Sequence, residues 1–249
     1  MYISQKRRMT RSRMLNFLDE IDTNDGSAAC LYFPPRLPAS EVEGMLISAS
    51  KIGDVPPELN EMISESHTGS ALIWGNQFRF LVRPPFPLEE KRVSIGYDLQ
   101  PLRSLLNEKF CIALIIVRLG DYGIGVFEGE KRISSKVGTG LVHSRHKKGG
   151  SSQRRFERHR EKQIEYFFTR VCGRVREQLE QYPGKLDYLI YGGDSNTLRS
   201  FRRQCQFLAP YDDRTLNKRL NVRKPRQKSL EEAIVDVWSS DLIEWFESE

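Results

Sequence analysis

Between Gln153 and Tyr182 the apolar residues Phe156, Ile164, Phe167, Phe168, Val171, Cys172, Val175 and Leu179 recur at spacings of three, four and their multiples. That period predicts one long helix with a single wide apolar stripe, which has to cover a sheet. The flanking chain supplies strands for it. Ahead of the helix, Phe110–Val117 is an apolar run of strand length, and Tyr122–Phe127 and Arg132–Val137 follow across turns at Gly120-Asp121 and Gly129-Glu130, so three antiparallel hairpin strands are expected. Behind it, Pro183-Gly184 stops the helix, Leu186–Tyr191 is a short apolar strand, Gly192-Gly193-Asp194 turns the chain, and Ser195–Leu208 reads as a basic helix.

The first 105 residues follow a different pattern. Ser4–Ile21 reads as a basic amphipathic helix, with Met9, Met14, Leu15 and Leu18 at helical spacing. After an Asp/Asn/Gly-rich break at Asp22–Ser27, a strand is expected at Ala29–Phe33, helices at Ser40–Ser50 and Asp54–Ser66, paired strands at Ser70–Trp74 and Phe78–Arg83, and a helix at Asp98–Glu108. The parse is two domains. Residues 1–105 form a smaller α/β domain with a basic N-terminal helix. Residues 106–249 form an RNase-H-like α+β, or mixed α/β, domain whose meander, long helix, strand and helix are followed by an acidic C-terminal helix carrying Leu230, Ile234, Val237, Trp238, Ile243, Trp245 and Phe246.

The 249 residues carry a formal net charge of +6, unevenly placed. Met1–Arg13 has five basic residues and no acid, His143–Arg160 seven against one acid, and Arg199–Lys228 ten against two, whereas Ser229–Glu249 has seven acids and no base. Such asymmetry points to a surface that meets a polyanion, phosphate backbone above all. No apolar run approaches the roughly 18 residues of a membrane span, and no secretory signal follows Lys6, Arg7 and Arg8, so a soluble cytoplasmic monomer without membrane contact is expected. Cys30, Cys111, Cys172 and Cys205 lie far apart with no CxxC pairing, which reads as four buried free thiols rather than a zinc knuckle or disulfide framework.

The densest signal is the loop ahead of the long helix. His143 to Arg160 holds three of the four histidines and seven basic residues around Gly149-Gly150. Paired glycines let bare backbone approach a ligand, and Ser151 or Ser152 is placed to cap a helix whose first turn offers free N–H groups to an anion. His143, His146 and His159 have no Cys or carboxylate partner at ligand spacing, so neither a metal nor another cofactor is expected.

The run Arg145-His-Lys-Lys-Gly-Gly-Ser-Ser-Gln-Arg-Arg-Phe-Glu-Arg158 resembles the Gly-Gly-Gln region of archaeal and eukaryotic peptide-chain release factors, and the order of elements over about residues 110 to 208 agrees. Gln153 lies two positions later than in the standard motif, a Gly-Gly-Ser-Ser-Gln pattern that resembles the VLRF-type, release-factor-like peptidyl-tRNA hydrolase branch. The resemblance implies a loop that enters the peptidyl-transferase centre of the large ribosomal subunit and hydrolyses the ester of peptidyl-tRNA on stalled ribosomes. Gln153, with Gly149 and Gly150, would be the catalytic element, and Arg145, His146, Lys147, Lys148, Ser151, Ser152, Arg154, Arg155 and Arg158 would contact ribosomal or transfer RNA. A neutral amide both donates and accepts but is no strong base, so Gln153 would position water. The rival readings are a non-catalytic ribosome or tRNA sensor and, last, a metal-dependent nuclease, which would need carboxylates at strand ends that Phe110–Val117 does not supply. With no stop-codon reading domain legible, rescue or quality control fits better than codon-dependent termination.

Overall fold

The computed structural model describes residues 2–21, 28–49, 55–56, 58–75, 79–143 and 151–247, without the side chains of residues 2–4, 151–153 and 247. In chain order the elements are β1 (Tyr2–Met9), α1 (Arg11–Glu20), β2 (Ala29–Phe33), α2 (Ala39–Ser48), α3 (Glu58–Ser64), β3 (Ser70–Trp74), β4 (Arg79–Arg83), β5 (Arg92–Ile95) and α4 (Gln100–Asn107). Then come β6 (Cys111–Arg118), β7 (Asp121–Glu128), β8 (Lys131–Thr139), α5 (Ser151–Leu179), β9 (Tyr188–Gly192), α6 (Ser195–Gln204), a 3-10 stretch at Gln206–Arg214, β10 (Thr215–Leu220), α7 (Gln227–Val237) and β11 (Ser240–Glu247). They divide into two units, Met1–Glu108 with Val237–Glu249, and Lys109–Asp236.

In the first unit an all-antiparallel sheet runs β1-β11-β4-β3-β2-β5. Strand alternation sends Leu31, Phe33, Leu72, Trp74, Leu81 and Ile243 to one face, against Val42 and Met45 of α2 and Leu59 and Ile63 of α3. Cys30, Tyr32, Ile73, Phe80, Val82 and Leu242 go to the other, against Met14 and Leu18 of α1 and Leu102 and Leu106 of α4. Helices on both faces explain why β2 and β3 are buried at every position, with no polar alternation to read.

Two expectations fail here. The predicted helix at Ser4–Ile21 is a strand to Met9 and a helix only from Arg11, because Met9 precedes the helical stripe and the residues before it pair across the sheet with β11. The predicted acidic C-terminal helix is helical only to Val237. Ile243 and Trp245 on one face and Leu242 on the other are buried in an inner strand, Phe246 is 45% exposed at its end, and the tail belongs to the first unit and not to the second. The first basic island and the acidic tail, separate signals in the sequence, lie side by side: Lys6 pairs with Asp241 at 2.8 Å and Arg7 with Glu244 at 2.6 Å. Two of that island's five cations are thus spent on the protein itself.

The second unit has the sheet β10-β9-β6-β7-β8, with β6, β7 and β8 an antiparallel meander and β6, β9 and β10 parallel, an RNase-H-like arrangement. One face, Ala113, Ile115, Val117, Ile124, Val126 and Leu189, is covered by Phe167, Phe168, Val171, Val175 and Leu179 of α5 and Leu198 and Phe201 of α6. Each of these side chains gains about 1.5–3 kcal/mol by leaving water. On the other face α7 lies close over β7: a β-carbon on either Gly123 or Gly125 would stand 3.5 Å from Leu230, and one on Gly123 3.0 Å from Pro225 just ahead of the helix.

The expectation of four free thiols is also corrected. Packing of α6 beside α5 brings Cys172 and Cys205 to a Cα–Cα distance of 5.4 Å and they are joined as a disulfide, leaving Cys30 and Cys111 free. Sequence spacing could not show this, since the pair meets only in the folded unit. A bridge across 33 residues restricts the unfolded chain by about 3.7 kcal/mol. Chemical denaturation after phosphine reduction is therefore expected to show stability lower by about 3.7 kcal/mol, and Cys172→Ser to reproduce the loss. Coincident oxidised and reduced curves would refute the bridge.

Candidate functional site

The proposed catalytic loop leaves the sheet at the end of β8, and its stem is built by close backbone approaches. A β-carbon on Gly138 would lie 2.5 Å from the Tyr122 hydroxyl, and one on Gly140 2.5 Å from the Phe167 ring, so only glycine lets the outgoing chain lie this near α5 and β7. The Gly140 N–H is tied to the Gly120 carbonyl at 2.8 Å, and Val142 packs on the core. One residue further, α5 takes hold of the backbone: His143 donates its N–H to Gln163 Oε1 at 3.2 Å, and Arg160 Nε donates to the His143 carbonyl at 2.9 Å. The Gln163 amide nitrogen lies 3.2 Å from His159 Nε2, which can accept only if His159 is neutral with its proton on Nδ1.

Residues 144–150 lie outside those described, and with them Arg145, His146, Lys147, Lys148, Gly149 and Gly150. The chain resumes in α5 at Ser151. Ser151, Ser152 and Gln153 are thus the first three residues of a 29-residue helix, not loop residues, and their N–H groups are among the four that no helical carbonyl can satisfy. The predicted serine cap is corrected accordingly: both serines stand inside the helix, and the capping position falls in the undescribed stretch. Their side chains and that of Gln153 are outside the description as well.

The apolar stripe of α5 is shorter than its sequence suggests. Phe156, expected to face the core, is 56% exposed, and burial begins with half-buried Ile164 and is complete from Phe167. Helix rise makes the largely exposed part, from Arg154 to Lys162, roughly 14 Å long. It carries Arg154, Arg155 and Arg158, all exposed, around Phe156, and the first turn of α5 holds no acid. Cations at a helix N-terminus oppose the macrodipole by a few tenths of a kcal/mol each. An incoming anion reverses that sign. Among the described residues no three His, Cys, Asp or Glu side chains gather as a metal site needs, and no helix is long and apolar enough to cross a membrane.

Residues 111–243, just over half of the chain, match the family described as the Actinobacteria/chloroflexi VLRF1 release factor. The chain belongs to that family. The VLRF1 assignment agrees with its likeness to peptide chain release factor subunit 1 of Archaeoglobus fulgidus, 32% identical over 117 residues, which cover 47% of this chain and 29% of that protein. The subunit 1 protein of Methanopyrus kandleri is 32% identical over 123 residues, 49% of this chain and 30% of its own. The VLRF1 chain thus spans under a third of the length of these two relatives. Among solved structures, an archaeal translation termination factor, aRF1, is similar with a TM-score of 0.41 and 18% identity, covering 92% of this chain and 71% of that one.

Sequence reading placed the loop but missed its stem: Gly138, Gly140, Arg160 and Gln163. The signal available was the 159, 160, 163 spacing, which sets three polar side chains on one face of α5. Gln163→Ala removes an acceptor from a backbone N–H whose position fixes where the loop starts. Peptide release by that variant is expected to fall roughly tenfold, since misplacement at a distance from the chemistry is costly, while the melting temperature changes little. Unchanged release would show that the stem needs no such clamp.

Proposed function

We propose that this VLRF1 protein hydrolyses the ester joining a nascent chain to tRNA on stalled ribosomes or large subunits in the cytoplasm, in ribosome rescue or quality control. The observation that carries the reading is the start of α5, whose first turn holds no acid and which goes on through the exposed Arg154, Arg155 and Arg158. Arg145, His146, Lys147, Lys148, Ser151, Ser152, Arg154, Arg155 and Arg158 would hold ribosomal and transfer RNA phosphates and bases. Gln153, in the first helical turn, would direct a water at the ester carbonyl, and the unpaired N–H groups of that turn would face the developing oxyanion. No metal or nucleotide enters this scheme.

The test is direct: offer the monomeric protein peptidyl-tRNA on purified large subunits and measure peptide release. Release at a rate far above spontaneous hydrolysis supports the reading. Tight, salt-sensitive binding with no release selects the second reading, a ribosome or tRNA sensor. That alternative is favoured by one fact, the placement of Gln153 within the helix two positions beyond the usual motif.

A further inference from the structure

The third basic island does not scatter over the surface. Five of the ten cations between Arg199 and Lys228, namely Arg199, Arg202, Arg203, Lys218 and Arg219, line one cleft of about 720 Å³ between α6, the 3-10 stretch and β10. Arg202 and Arg203 each stand one turn on from Arg199 along α6, a ten-residue helix whose first residue, Ser195, is also in the wall. Arg219 donates to the Ser195 hydroxyl, so β10 and the start of α6 are fastened together there. The one carboxylate in the lining, Asp212, is taken by Arg202 at 2.5 Å. The cleft is strongly cationic.

Its floor differs from its rim. Leu198, Leu208 and Tyr191 are buried, and Tyr191 is only 6% exposed; Arg202 donates to its hydroxyl, whose own O–H meets no acceptor among the described residues. Arg202 lies over the Tyr191 ring, its guanidinium carbon 4.9 Å from the centroid. A buried O–H left without an acceptor is destabilising until something meets it. Burial also pushes this phenol up to about 12, so it stays a donor at any physiological pH. A volume in the ligand range, an apolar floor with one waiting hydroxyl and a rim of arginines together describe a ligand with a flat, partly apolar body, a polar edge and a phosphate.

We infer that this cleft is a ribonucleotide site, in which Arg199, Arg203 and Arg219 hold the phosphate and Tyr191 Oη meets the base or ribose. Stacking surface comes from the Arg202 guanidinium, a plane that bases accept readily. A free nucleotide and one within an RNA strand share this chemistry, and the experiment separates them. The inference goes beyond the hydrolysis reading and stands on residues that take no part in it.

The experiment uses the full chain without ribosomes, so its outcome is independent of peptide release. Binding of ribonucleoside 5′-monophosphates and of a labelled short oligouridylate is followed by fluorescence anisotropy and competition, alongside uridine, inorganic phosphate and polyglutamate. Both phosphorylated ligands or one of them should bind, with uridine at least roughly tenfold weaker. Monophosphate equal to oligomer identifies a free nucleotide, and oligomer alone identifies a strand. Arg199→Ala with Arg203→Ala should weaken binding tenfold or more, and Tyr191→Phe, which keeps the ring, roughly threefold to tenfold, with circular dichroism melts unchanged. No binding, binding that ignores both variants, or competition by inorganic phosphate or polyglutamate as effective as by nucleotide would overturn the inference.

Discussion

Gln153→Ala is expected to slow peptide release from stalled large subunits by roughly a hundredfold to a thousandfold, the loss seen when one preorganised donor is taken from an oxyanion site. The argument rests on position. Gln153 is third in α5, so it shares the first turn with N–H groups that point out of the helix and that the alanine variant keeps. Those amides and RNA binding should sustain a residue of activity, and subunit affinity should hardly change. Single-turnover release under saturating protein separates the two. Alanine releasing peptide as fast as glutamine would end the assigned role, while a comparable loss in both release and affinity would mean that Gln153 binds rather than positions water.

Gly193→Val should be the most damaging single change outside the loop, destabilising the second unit by on the order of 4 kcal/mol or more. Gly193 has φ +128, and a β-carbon there would stand 2.2 Å from the Val117 carbonyl oxygen. Its N–H is also bonded to the Leu220 carbonyl at 3.1 Å. The position therefore knots the ends of three parallel strands, β6, β9 and β10, just where the chain turns into α6. Backbone strain of about 1–3 kcal/mol and overpacking of about 1–3 kcal/mol add, and neither neighbour can yield because both are backbone. Denaturant titration reads the loss directly. A variant as stable as the parent would show that the strand ends can move apart.

What the sequence made legible was local. The hairpin turns at Gly120 and Gly129, the stop at Pro183-Gly184 and the stripe from Ile164 to Leu179 each lie within a short window, and the second unit follows them. The missed elements owe their conformation to distant partners. Arg92–Ile95 is an exposed edge strand of four residues, and Thr215–Leu220 is a polar edge strand defined only by β9 beside it. Leu242, Ile243 and Trp245 look helical because a strand buried on both faces loses its alternation. At the site, the cations were readable from composition, but the clamp of Arg160 and Gln163 on His143 spans seventeen and twenty residues, and their spacing on α5 does not say what they hold.

The pairing of Tyr2–Met9 with Ser240–Glu247 also sets an order of events during synthesis. Residues 109–236 are contiguous and have every strand of their sheet in hand once Leu220 has been made. The first unit, begun earlier, must wait: until β11 arrives, β1 has no neighbour and β4 presents an open edge. Prior folding of the middle of the chain shortens the loop that this last pairing has to close, and so lowers its entropic cost. Residues 2–9 are therefore among the last of the first unit to find their place.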